Sequence, residues 1–503
     1  MRRIITLPAA AITFGAILLA PVSASASAKT PDQPKHLHLV AVTKTSITAA
    51  VKPAAHAKRY RLYVGRKQRD LAVVRAASAA VAAKSSRKPR ITVTGLPYAT
   101  APYYFRIAAI NGSKRRFSAT IGSAELMPPS PTKLVAHSSA TGTYLTWHGE
   151  QVPHLTVLQA TNPTFTAGRR TYQIRAIARQ FTPYGLARGQ TYYFRVRSHS
   201  GPSHGKWSNV AHTTVVSSEQ SLRMMTYNLM DLSRDGTKED GTTIAPWSER
   251  LKGVVQWFRQ ASPDVAAVEE GGDWVGATGG PRQVDSVVSA LGGSYSLAHT
   301  EVSPGEPGCC HRTGQYLLYK TSAYRAVGDG GHWTFPGNGS THEAAYQILQ
   351  NRTTGARLLV VAVHVAVGNH KSADRLRKRQ TALLIQDARG YAAAHGNLPV
   401  VYGGDFNSAP QNHAVDGPGI EMRKADVADA FNVAQSHKNS RFNSANGYFR
   451  KPPAAGIYLD HIFASPGVAV KSWRLMLNLQ HGRFVGVIPS DHNPLVSDLV
   501  ISY

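Results

Sequence analysis

The feature that most limits the fold is a pattern of short strands that occurs twice in the first half of the chain. Each copy has short runs of alternating apolar and polar residues, separated by Gly, Pro and polar turns. The strand-like segments are residues 45–48, 60–64, 95–96 and 103–107 in the first copy and 143–147, 185–186, 192–196 and 207–208 in the second. Runs of this length and spacing predict two β-sandwiches, over residues 34–127 and 131–217.

Both copies resemble fibronectin type III domains, because each has Gly-Leu before a strand and a Tyr-x-Phe-Arg-aliphatic strand. Trp147 of the second copy stands where that family has its core tryptophan. The first copy departs there, with Val51 in that neighbourhood and an alanine-rich insert at residues 76–83. The resemblance implies two all-β fibronectin type III-like domains in which Tyr103 and Tyr192 are core residues.

The positive charge of the chain is confined to this first half. The whole sequence has a net charge of +28, of which residues 29–217 contribute +24 and residues 218–503 only +2. A charge excess of this size predicts adhesion to anionic polymers such as nucleic acid, cell-surface polyanions or acidic lipid.

The first 28 residues have the composition of a secretory signal peptide. Arg2 and Arg3 precede an apolar run that ends at Ala20, and small residues follow up to Ala28. An uncleaved anchor is the alternative, but a small-residue cleavage site occupies the place where an anchor needs a stop-transfer flank. No later stretch has the roughly 18 uninterrupted apolar residues that span a bilayer. We therefore expect a secreted protein with no transmembrane segment in its mature chain.

The chain has two cysteines, Cys309 and Cys310, which are adjacent. Neighbouring Cα atoms are about 3.8 Å apart, closer than an unstrained disulfide allows. The domains must therefore be held together by apolar cores rather than by a disulfide framework.

After residue 221 the pattern changes to alternating strands and helices. Strands are predicted at residues 222–229, 265–268, 357–365, 398–402, 457–464 and 495–501, and helices at 247–260, 282–291 and 372–394, the last capped by Ser372. Mixed elements of this kind predict an α/β domain over residues 221–503 with layered sheets and helices outside them.

Polar side chains recur where these strands end, and loops at strand ends present side chains from a rigid scaffold. Each of these residues alone is weak evidence, because Asn and Asp at strand ends are common turn and cap residues. Their combination predicts a catalytic site. The set is Asn228, Glu270, His364, Asp405, Asn407, Asp460, Asp491 and His492.

Five segments carrying these residues resemble the motifs of the endonuclease/exonuclease/phosphatase superfamily, in the correct order. They are residues 225–228 (MTYN), 263–270 (PDVAAVEE), 403–408 (GGDFNS), 458–463 (YLDHIF) and 490–495 (SDHNPL). The resemblance implies a four-layer β-sandwich flanked by helices and a metal-dependent phosphodiesterase activity. Two positions depart from the family pattern. Glu269 replaces the usual Gln and adds negative charge, and His364 is followed by Val365 instead of Leu or Phe.

The resemblance also implies the metal site. Glu270, Asp491 and the amide of Asn228 would hold the metal, with Mg²⁺ expected and Mn²⁺ or Ca²⁺ as alternatives. Hard cations such as Mg²⁺ prefer oxygen ligands and neutralise the charge that develops on a phosphodiester.

The remaining residues have implied roles in hydrolysis. Asp405 would be the general base and Asn407 would orient the water or the phosphate, while His492 paired with Asp460 would hydrogen-bond or protonate the phosphate. The base role falls on Asp405 or on His492, and the sequence does not choose between them. His364 would stabilise the phosphoryl oxygens. Trp247 and Arg250 are interpreted as core-related. Arg379 and Gln380 on the long helix match a recurrent family feature and are interpreted as a structural contact between helix and sheet, with substrate binding by Arg379 as the alternative.

The shared motifs do not identify the substrate. The basic first half favours a nuclease acting on DNA or RNA, whereas a sphingomyelinase-like or phosphoinositide phosphodiesterase is the alternative because basic modules also suit anionic membranes. A third hypothesis is an adhesion protein with an inactive catalytic-like domain. The presence of all the metal and base residues argues against it.

Overall fold

A computed structural model describes most of the chain after the predicted signal peptide. The described residues are 28–71, 77–82, 88–98, 101–149, 152, 154–175, 178–200, 203–239, 242–272, 282–298, 314–337, 341–409 and 416–503. The predicted signal peptide and both cysteines lie outside these ranges. Within them, no helix combines the length and the apolar character that crossing a membrane requires. The chain divides into two compact units, Met1–Leu126 and Met127–Tyr503.

The first unit is a β-sandwich. One sheet has the strand order β1-β2-β5, and the other has the order β4-β3-β6-β7 with β8 paired to β6. The strands are β1 Lys35–Val42, β2 Ile47–Lys52, β3 Arg59–Gly65, β4 Ala77–Ala82, β5 Arg90–Val93, β6 Tyr103–Asn111, β7 Lys114–Phe117 and β8 Gly122–Ala124. Alternating residues of both sheets, such as Ile47 and Leu62, form one buried core. The alanine-rich segment supplies strand β4 of this sandwich.

The second unit begins with another β-sandwich, here called module 2. Its sheets have the orders β13-β10-β9 and β12-β11-β14-β15, with β16 paired to β14. The strands are β9 Thr132–Ser139, β10 Gly142–His148, β11 His154–Ala160, β12 Arg170–Arg175, β13 Gln180–Phe181, β14 Thr191–Ser200, β15 Ser203–His204 and β16 Ala211–Thr214. Trp147 is buried here, as expected from its position in the pattern.

The two tyrosines that were expected in the cores are buried. Each hydroxyl also bonds to the backbone a few residues upstream: Tyr103 donates to the carbonyl of Pro97 at 2.6 Å, and Tyr192 accepts from the N–H of Ala187 at 3.1 Å. A tyrosine that ties the start of a strand to the preceding corner is a recurrent device of immunoglobulin-like sandwiches.

The remainder of the second unit, here called the C-terminal domain, contains two large sheets. The seven-stranded sheet has the order β21-β22-β20-β17-β33-β30-β28, and the six-stranded sheet has the order β23-β24-β25-β26-β29-β27. The strands are β17 Glu219–Asn228, β18 Lys238–Glu239, β19 Thr242–Thr243, β20 Val265–Glu269, β21 Tyr295–Leu297, β22 Tyr316–Lys320, β23 Tyr324–Pro336, β24 Thr341–Asn351, β25 Arg357–His364, β26 Val400–Asp405, β27 Ala428–Asp429, β28 Ser436–Lys438, β29 Asp460–Ala464, β30 Ala469–Leu475, β31 Leu479–Gln480, β32 Arg483–Phe484 and β33 Leu495–Ser502. The sheets face each other, with β17 against β26 and β20 against β25.

Helices cover the outer face of each sheet. They are α1 Trp247–Ala261, α2 Gln283–Ala290, α3 Lys371–Ala394, α4 Gly417–Lys424 and α5 Ala430–Val433. Helices α1 and α2 pack on the seven-stranded sheet through residues such as Phe258 and Val287, and α3 packs on the six-stranded sheet through Leu384. The domain is therefore a four-layer β-sandwich flanked by helices, which confirms the predicted architecture.

One local prediction was wrong, and one pair of long strands was not predicted. The residue that caps α3 is His370, whose Nδ1 accepts from the N–H of Ala373, and not Ser372. The long strands β23 and β24 were not predicted because Gly328, Gly330 and Gly331 indicate a turn. In the structure these glycines belong to an irregularity in the pairing of β23 with β24, where a strand tolerates glycine.

Candidate active site

The site residues predicted from sequence lie at one end of the two facing sheets. Asn228 ends β17, His364 ends β25, Asp405 ends β26 and Asp460 begins β29. In the parallel pair β25–β26 His364 is opposite Asp405, and in the antiparallel pair β26–β29 Asp405 is opposite Asp460. The strand register therefore brings together side chains that are far apart in sequence.

Asp405 is the residue around which the others are arranged. Its Oδ2 lies 3.5 Å from Nε2 of His364 and 3.7 Å from Nε2 of His492. The same oxygen accepts from Nδ2 of Asn228 at 3.4 Å, and Oδ1 accepts from the N–H of Asn407 at 2.8 Å. The carboxylate is almost fully buried. One of its oxygens is held by the backbone, and the other faces three side-chain nitrogens.

His492 is oriented by a second carboxylate. Its Nδ1 is 2.8 Å from Oδ2 of Asp460, and both residues are buried. Burial alone would lower the pKa of His492, but Asp460 and Asp405 outweigh that effect and hold the pKa well above its usual value. The ring is thus fixed with Nδ1 on Asp460 and Nε2 towards Asp405.

His364 and Asn407 lie on the other side of Asp405. Nδ2 of Asn407 is 3.0 Å from Nε2 of His364 and donates to the carbonyl of Val365 at 3.1 Å. Asn407 has a positive φ of 47°, a conformation that non-glycine residues adopt at a cost and that often marks a functional site. His364 is in the site despite its unusual sequence context.

Glu270 lies directly after β20 and also has a positive φ, 53°. Its Oε1 accepts from Nδ2 of Asn228 at 2.9 Å, and its Oε2 accepts from the N–H of Asp231 at 2.9 Å. The amide oxygen of Asn228 accepts from the N–H of Met230 at 2.9 Å. Asn228 therefore turns its amide nitrogen towards the two carboxylates. The predicted part of the Asn228 amide in the metal site stays a prediction, with its oxygen accepting one backbone hydrogen bond in this arrangement.

Asp491 completes the acidic group. Burial raises the pKa of Asp491; His492 opposes this rise, and Glu270 and Asp405 add to it. Carboxylates that disfavour one another's ionisation are relieved by a cation placed among them. Glu270 and Asp491 offer the hard oxygen atoms that Mg²⁺, Mn²⁺ and Ca²⁺ prefer. The donor set at this end of the sheets therefore fits a divalent cation.

One ligand atom each of Asp405, Asp460 and His492 also lies within 4.8 Å of the others, a spacing that a metal ion could share. In this trio, however, Asp460 and Nδ1 of His492 are already hydrogen-bonded to each other. A cation held by both would have to break that pair. The side of Asp405 that faces Glu270 is therefore the better place for a cation.

Glu269, one of the two departures from the family pattern, lies in an environment that disfavours its negative charge. It is fully buried, and Oε1 accepts from the hydroxyl of Thr226 at 3.0 Å, while Oε2 has no hydrogen-bond partner among the described residues. Burial, followed by the carboxylates of Asp460 and Asp405, raises the pKa of Glu269 well above its usual value. These effects disfavour the ionised form of the side chain, so Glu269 adds less negative charge to the site than its residue type suggests.

Several buried polar residues that sequence reasoning missed hold the site loops together. The hydroxyl of Ser490 donates to the carbonyl of Asn228 at 2.7 Å and accepts from the N–H of His492 at 3.0 Å. Ser444 accepts from the N–H of Asp460 at 3.2 Å, and the N–H of Asn446 donates to the carbonyl of Asp491 at 2.6 Å. Ser490 belongs to the last motif of the sequence, but no role was assigned to it there. For Ser444 and Asn446 the only sequence signal was the polar run at residues 443–447, which resembles an ordinary turn.

Arg250 was interpreted as a core residue, and the structure confirms this. Its guanidinium is fully buried and donates to the carbonyls of Leu229 at 2.8 Å and Pro489 at 3.1 Å. It also pairs with Asp235 at 2.8 Å. Arg250 therefore joins the segment after Asn228 to the segment before Ser490.

Arg379 is not brought to the site. It lies on the exposed side of α3, and no hydrogen bond or ion pair joins its side chain to another described residue. The buried side of the helix carries Gln380, which bonds the N–H of Ala366 at 2.9 Å, and Arg377, which donates to the carbonyls of Ala366 and Gly368. These two residues position the loop after His364, and the predicted substrate contact of Arg379 has no support.

A sequence profile of the Endonuclease/Exonuclease/phosphatase family matches residues 225–492, which is more than half of the chain and contains every residue of the site. The chain belongs to this family. Members are hydrolases of phosphoesters that generally depend on divalent metals. No curated protein matches the chain significantly.

Solved structures of the family are similar to the C-terminal part of the chain. An endonuclease/exonuclease/phosphatase from Bacteroides vulgatus is 21% identical, covers 56% of this chain and 98% of its own, and has a TM-score of 0.43. The mannosyl-6-phosphatase Bt3783 of Bacteroides thetaiotaomicron is 20% identical, with coverages of 55% and 99% and a TM-score of 0.41. TDP2 of D. rerio, in complex with a single-strand DNA product, is 16% identical, with coverages of 56% and 99% and a TM-score of 0.38.

Proposed function

We propose that the chain is a secreted, divalent-metal-dependent phosphodiester hydrolase whose substrate is nucleic acid. The observation that carries the proposal is the arrangement around Oδ2 of Asp405. Two imidazoles and an amide surround this oxygen, and Glu270 and Asp491 are close enough to influence the same group of charges. A carboxylate for the water, nitrogen donors for phosphate oxygens and hard ligands for a cation are what hydrolysis of a phosphodiester requires.

Asp405 is the proposed general base. Its Oδ1 is held by the N–H of Asn407, so Oδ2 can accept a proton from a water molecule without the carboxylate rotating. His492, fixed by Asp460, donates from Nε2 to a phosphate oxygen or protonates the leaving oxygen. Asn407 donates to Nε2 of His364, which leaves the other ring nitrogen, Nδ1, as the donor that His364 offers to the phosphate.

Glu270 and Asp491 are the proposed metal ligands. A divalent cation there neutralises charge on the phosphate and lowers the pKa of bound water. Asn228 bridges the carboxylates of Glu270 and Asp405 by donating from Nδ2 to both, which fixes their relative position.

Nucleic acid is favoured as the substrate by the net charge of +24 in residues 29–217. Phosphates dominate the affinity of most nucleic-acid-binding proteins, and that affinity needs lysine and arginine without acidic partners. We assign the two β-sandwiches as fibronectin type III-like modules that attach the enzyme to its polyanionic substrate.

A lipid phosphodiester is the second candidate, because exposed apolar residues border the site. Phe449, Val485 and Val487 are 43%, 42% and 39% exposed. The N–H of Phe484 donates a hydrogen bond to the carbonyl of Arg450, which joins the two segments that carry these residues. The N–H of Asn446 donates to the carbonyl of Asp491, which joins them to the site. Exposed apolar residues beside a basic residue such as Arg450 suit the interface of an anionic bilayer.

The test is a substrate panel of plasmid DNA, RNA, sphingomyelin vesicles and phosphoinositide vesicles, each with Mg²⁺. We expect cleavage of nucleic acid, loss of cleavage in EDTA, and loss of most activity in Asp405→Asn. Asp387→Asn, on the outer helix α3, is the control and should retain full activity. Cleavage of lipid alone would establish the second candidate, and turnover unaffected by EDTA or by Asp405→Asn would refute the mechanism. Absence of any hydrolysis would favour the adhesion hypothesis.

A further inference from the structure

The outer face of one sheet of module 2 carries a cluster of cationic side chains, of which the central two have no ion-pair partner among the described residues. Strands β12, β11 and β14 place Arg175, His154 and His199 in one row, because His154 is opposite both of the others. Arg195 and Arg197 follow on the same side of β14, and His204 of β15 is opposite His199. We call this surface the guanidinium face; it consists of Arg175, Arg195, Arg197, His154, His199 and His204.

The two central arginines are held flat by aromatic rings. The guanidinium carbon of Arg195 lies 4.3 Å from the ring centre of Phe165 and 4.4 Å from that of Trp207, and Arg197 lies 4.5 Å from Trp207. Stacking of this kind removes conformational freedom before a ligand arrives and leaves the edges of the guanidinium to donate. It also covers the apolar ring faces with charge.

The positive charge of the two central arginines, Arg195 and Arg197, is uncompensated, whereas Arg175 and His154 border a cavity that Asp416, Asp426 and Asp429 of the C-terminal domain also line. The only acidic residue in the sequence between 131 and 217 is Glu150, which lies outside the described residues. Among the described residues, Arg175, Arg195 and Arg197 form no ion pair, and the buried Nε atoms of Arg195 and Arg197 have no hydrogen-bond partner. Burial and the neighbouring cations Arg169 and Arg197 lower the pKa of Arg195. These groups repel one another, and a polyanion would relieve that repulsion.

We propose that the guanidinium face binds the phosphate backbone of a nucleic acid. The proposal deepens the proposed nuclease function, on which it rests, by naming the surface that holds the polymer. Arg195 and Arg197 are two residues apart on one strand, about 6.6 Å along it, so their planar forks present a row of donors to successive anionic groups. Arginine forks match the geometry of phosphate oxygens.

An anionic bilayer fits this face less well. The exposed large apolar residues among the described part of module 2 are Val135, Val210 and Val216, and none lies within the strands of this sheet. Trp207 and Phe165, the rings that could insert into a bilayer, are covered by the arginines. Recognition should be independent of base sequence, because the stacked rings are not free to stack on bases.

The test uses the full chain with Arg195→Gln/Arg197→Gln and a matched double variant, Lys133→Gln/Arg188→Gln. The control pair removes the same charge from module 2 outside the guanidinium face. Binding of a labelled single-stranded DNA oligonucleotide is followed by fluorescence anisotropy in EDTA, which prevents hydrolysis. We expect the face variant to bind at least about 10-fold more weakly, and its salt dependence to fall by about 1.4 in log–log slope, since each phosphate contact on a single strand contributes about 0.7. The control should change affinity by less than about 2-fold.

Equal weakening in both double variants would overturn the proposal, because it would show that only total charge matters. Unchanged DNA binding in the face variant, with loss of binding to vesicles of anionic phospholipid, would replace nucleic acid by a membrane and likewise overturn it. Arg195→Lys/Arg197→Lys keeps the charge and should retain most of the salt slope. A purely structural role of the stacked arginines predicts a lower melting temperature with affinity intact.

Hydrolysis of bis(p-nitrophenyl) phosphate with Mg²⁺ separates this proposal from the proposed function. The face variant should hydrolyse this small phosphodiester like the unmodified chain. If the face variant hydrolyses the small phosphodiester normally and also binds DNA normally, the proposed role of the guanidinium face is refuted and the nuclease function is not. If the chain binds DNA through the face but hydrolyses no phosphodiester, the nuclease function is refuted and the role of the face is not.

Discussion

Replacing Arg250 tests whether a buried cation outside the site assembles it. The guanidinium donates to the backbone carbonyls of Leu229, Ala245 and Pro489 at 2.8, 3.2 and 3.1 Å, contacts that of Met230 at 3.3 Å, and pairs with Asp235 at 2.8 Å. Arg250→Met leaves these acceptors without a donor in a place that excludes water. An unsatisfied buried acceptor costs about 1–3 kcal/mol, and a lost charge-assisted bond about 1.5–3 kcal/mol.

Counting only Leu229, Pro489 and Asp235, these ranges add up to about 3.5–9 kcal/mol, which is a large part of the stability of an ordinary domain. Arg250→Lys should cost less, because the ammonium keeps its charge and three donors but cannot make a planar fork. Since the bonded carbonyls flank Asn228 and Ser490, kcat should fall more than about 10-fold in Arg250→Lys while KM changes little.

Scanning calorimetry measures this cost, with the transition of the C-terminal domain identified by its shift when Mg²⁺ is added. The matched control is Arg234→Lys, an exposed arginine paired with Glu239, which should change stability by less than about 0.5 kcal/mol. If Arg250→Met unfolds within about 1 kcal/mol of the unmodified chain, or keeps its full kcat, the reasoning is refuted.

Three further predictions concern other parts of the second unit. Asp460→Asn should reduce kcat by about 10²–10⁴-fold with the fold intact, because His492 loses the carboxylate that orients Nδ1; a stopped assay on a small phosphodiester checks this, and near-normal turnover would contradict it. Burial alone would lower the pKa of His461, but Asp429 at 2.9 Å raises it to about 9, above the unfolded value of about 6.5. The pair therefore stabilises the fold fully below pH 6.5, and about 3 kcal/mol of stability should be lost as pH rises through 9. Asp429→Asn should abolish that decline in denaturant titrations, and an unchanged pH profile would contradict the assignment. Deleting residues 29–217 should lower the melting temperature of the C-terminal domain, because Glu219 then loses the N–H groups of Gly185 and Leu186, and Phe431 loses its contact with Arg175. Deleting residues 29–126 keeps these contacts and should leave that melting temperature unchanged. Equal melting temperatures of the two truncated chains would contradict this prediction.

Much of the fold was predictable because its strands and helices have strong periodicity. Helix α1 and strand β25 were located to within one residue, since their apolar spacing is regular and their ends are marked by polar residues. The hairpin of β23 and β24 was missed because its glycines favour a turn locally, whereas pairing across the sheet is decided by distant residues.

The residues of the site could be found from their motifs, but their relations could not. That His364 meets Asp405, and that Asp460 holds Nδ1 of His492, depends on strand register and loop packing. The amide of Asn228 illustrates the difference, because the sequence suggests a ligand oxygen and the N–H of Met230 occupies that oxygen. Arg379 and Arg377 differ by two positions on α3, and only the packing of the helix decides which of them is buried.

The amino-acid sequence by itself determined the order of strands and helices, the confinement of positive charge to the first half, and the residue types that can hold a cation and activate water. These depend on local periodicity and composition. The tertiary structure alone decided that Glu269 is buried and its pKa raised, that Arg250 and Ser490 join the loops of the site, and that Arg195 and Arg197 stack on Trp207 without an ion-pair partner. The physical reason is that burial and contact between distant segments, which set pKa and satisfy polar groups, exist only once the chain has folded.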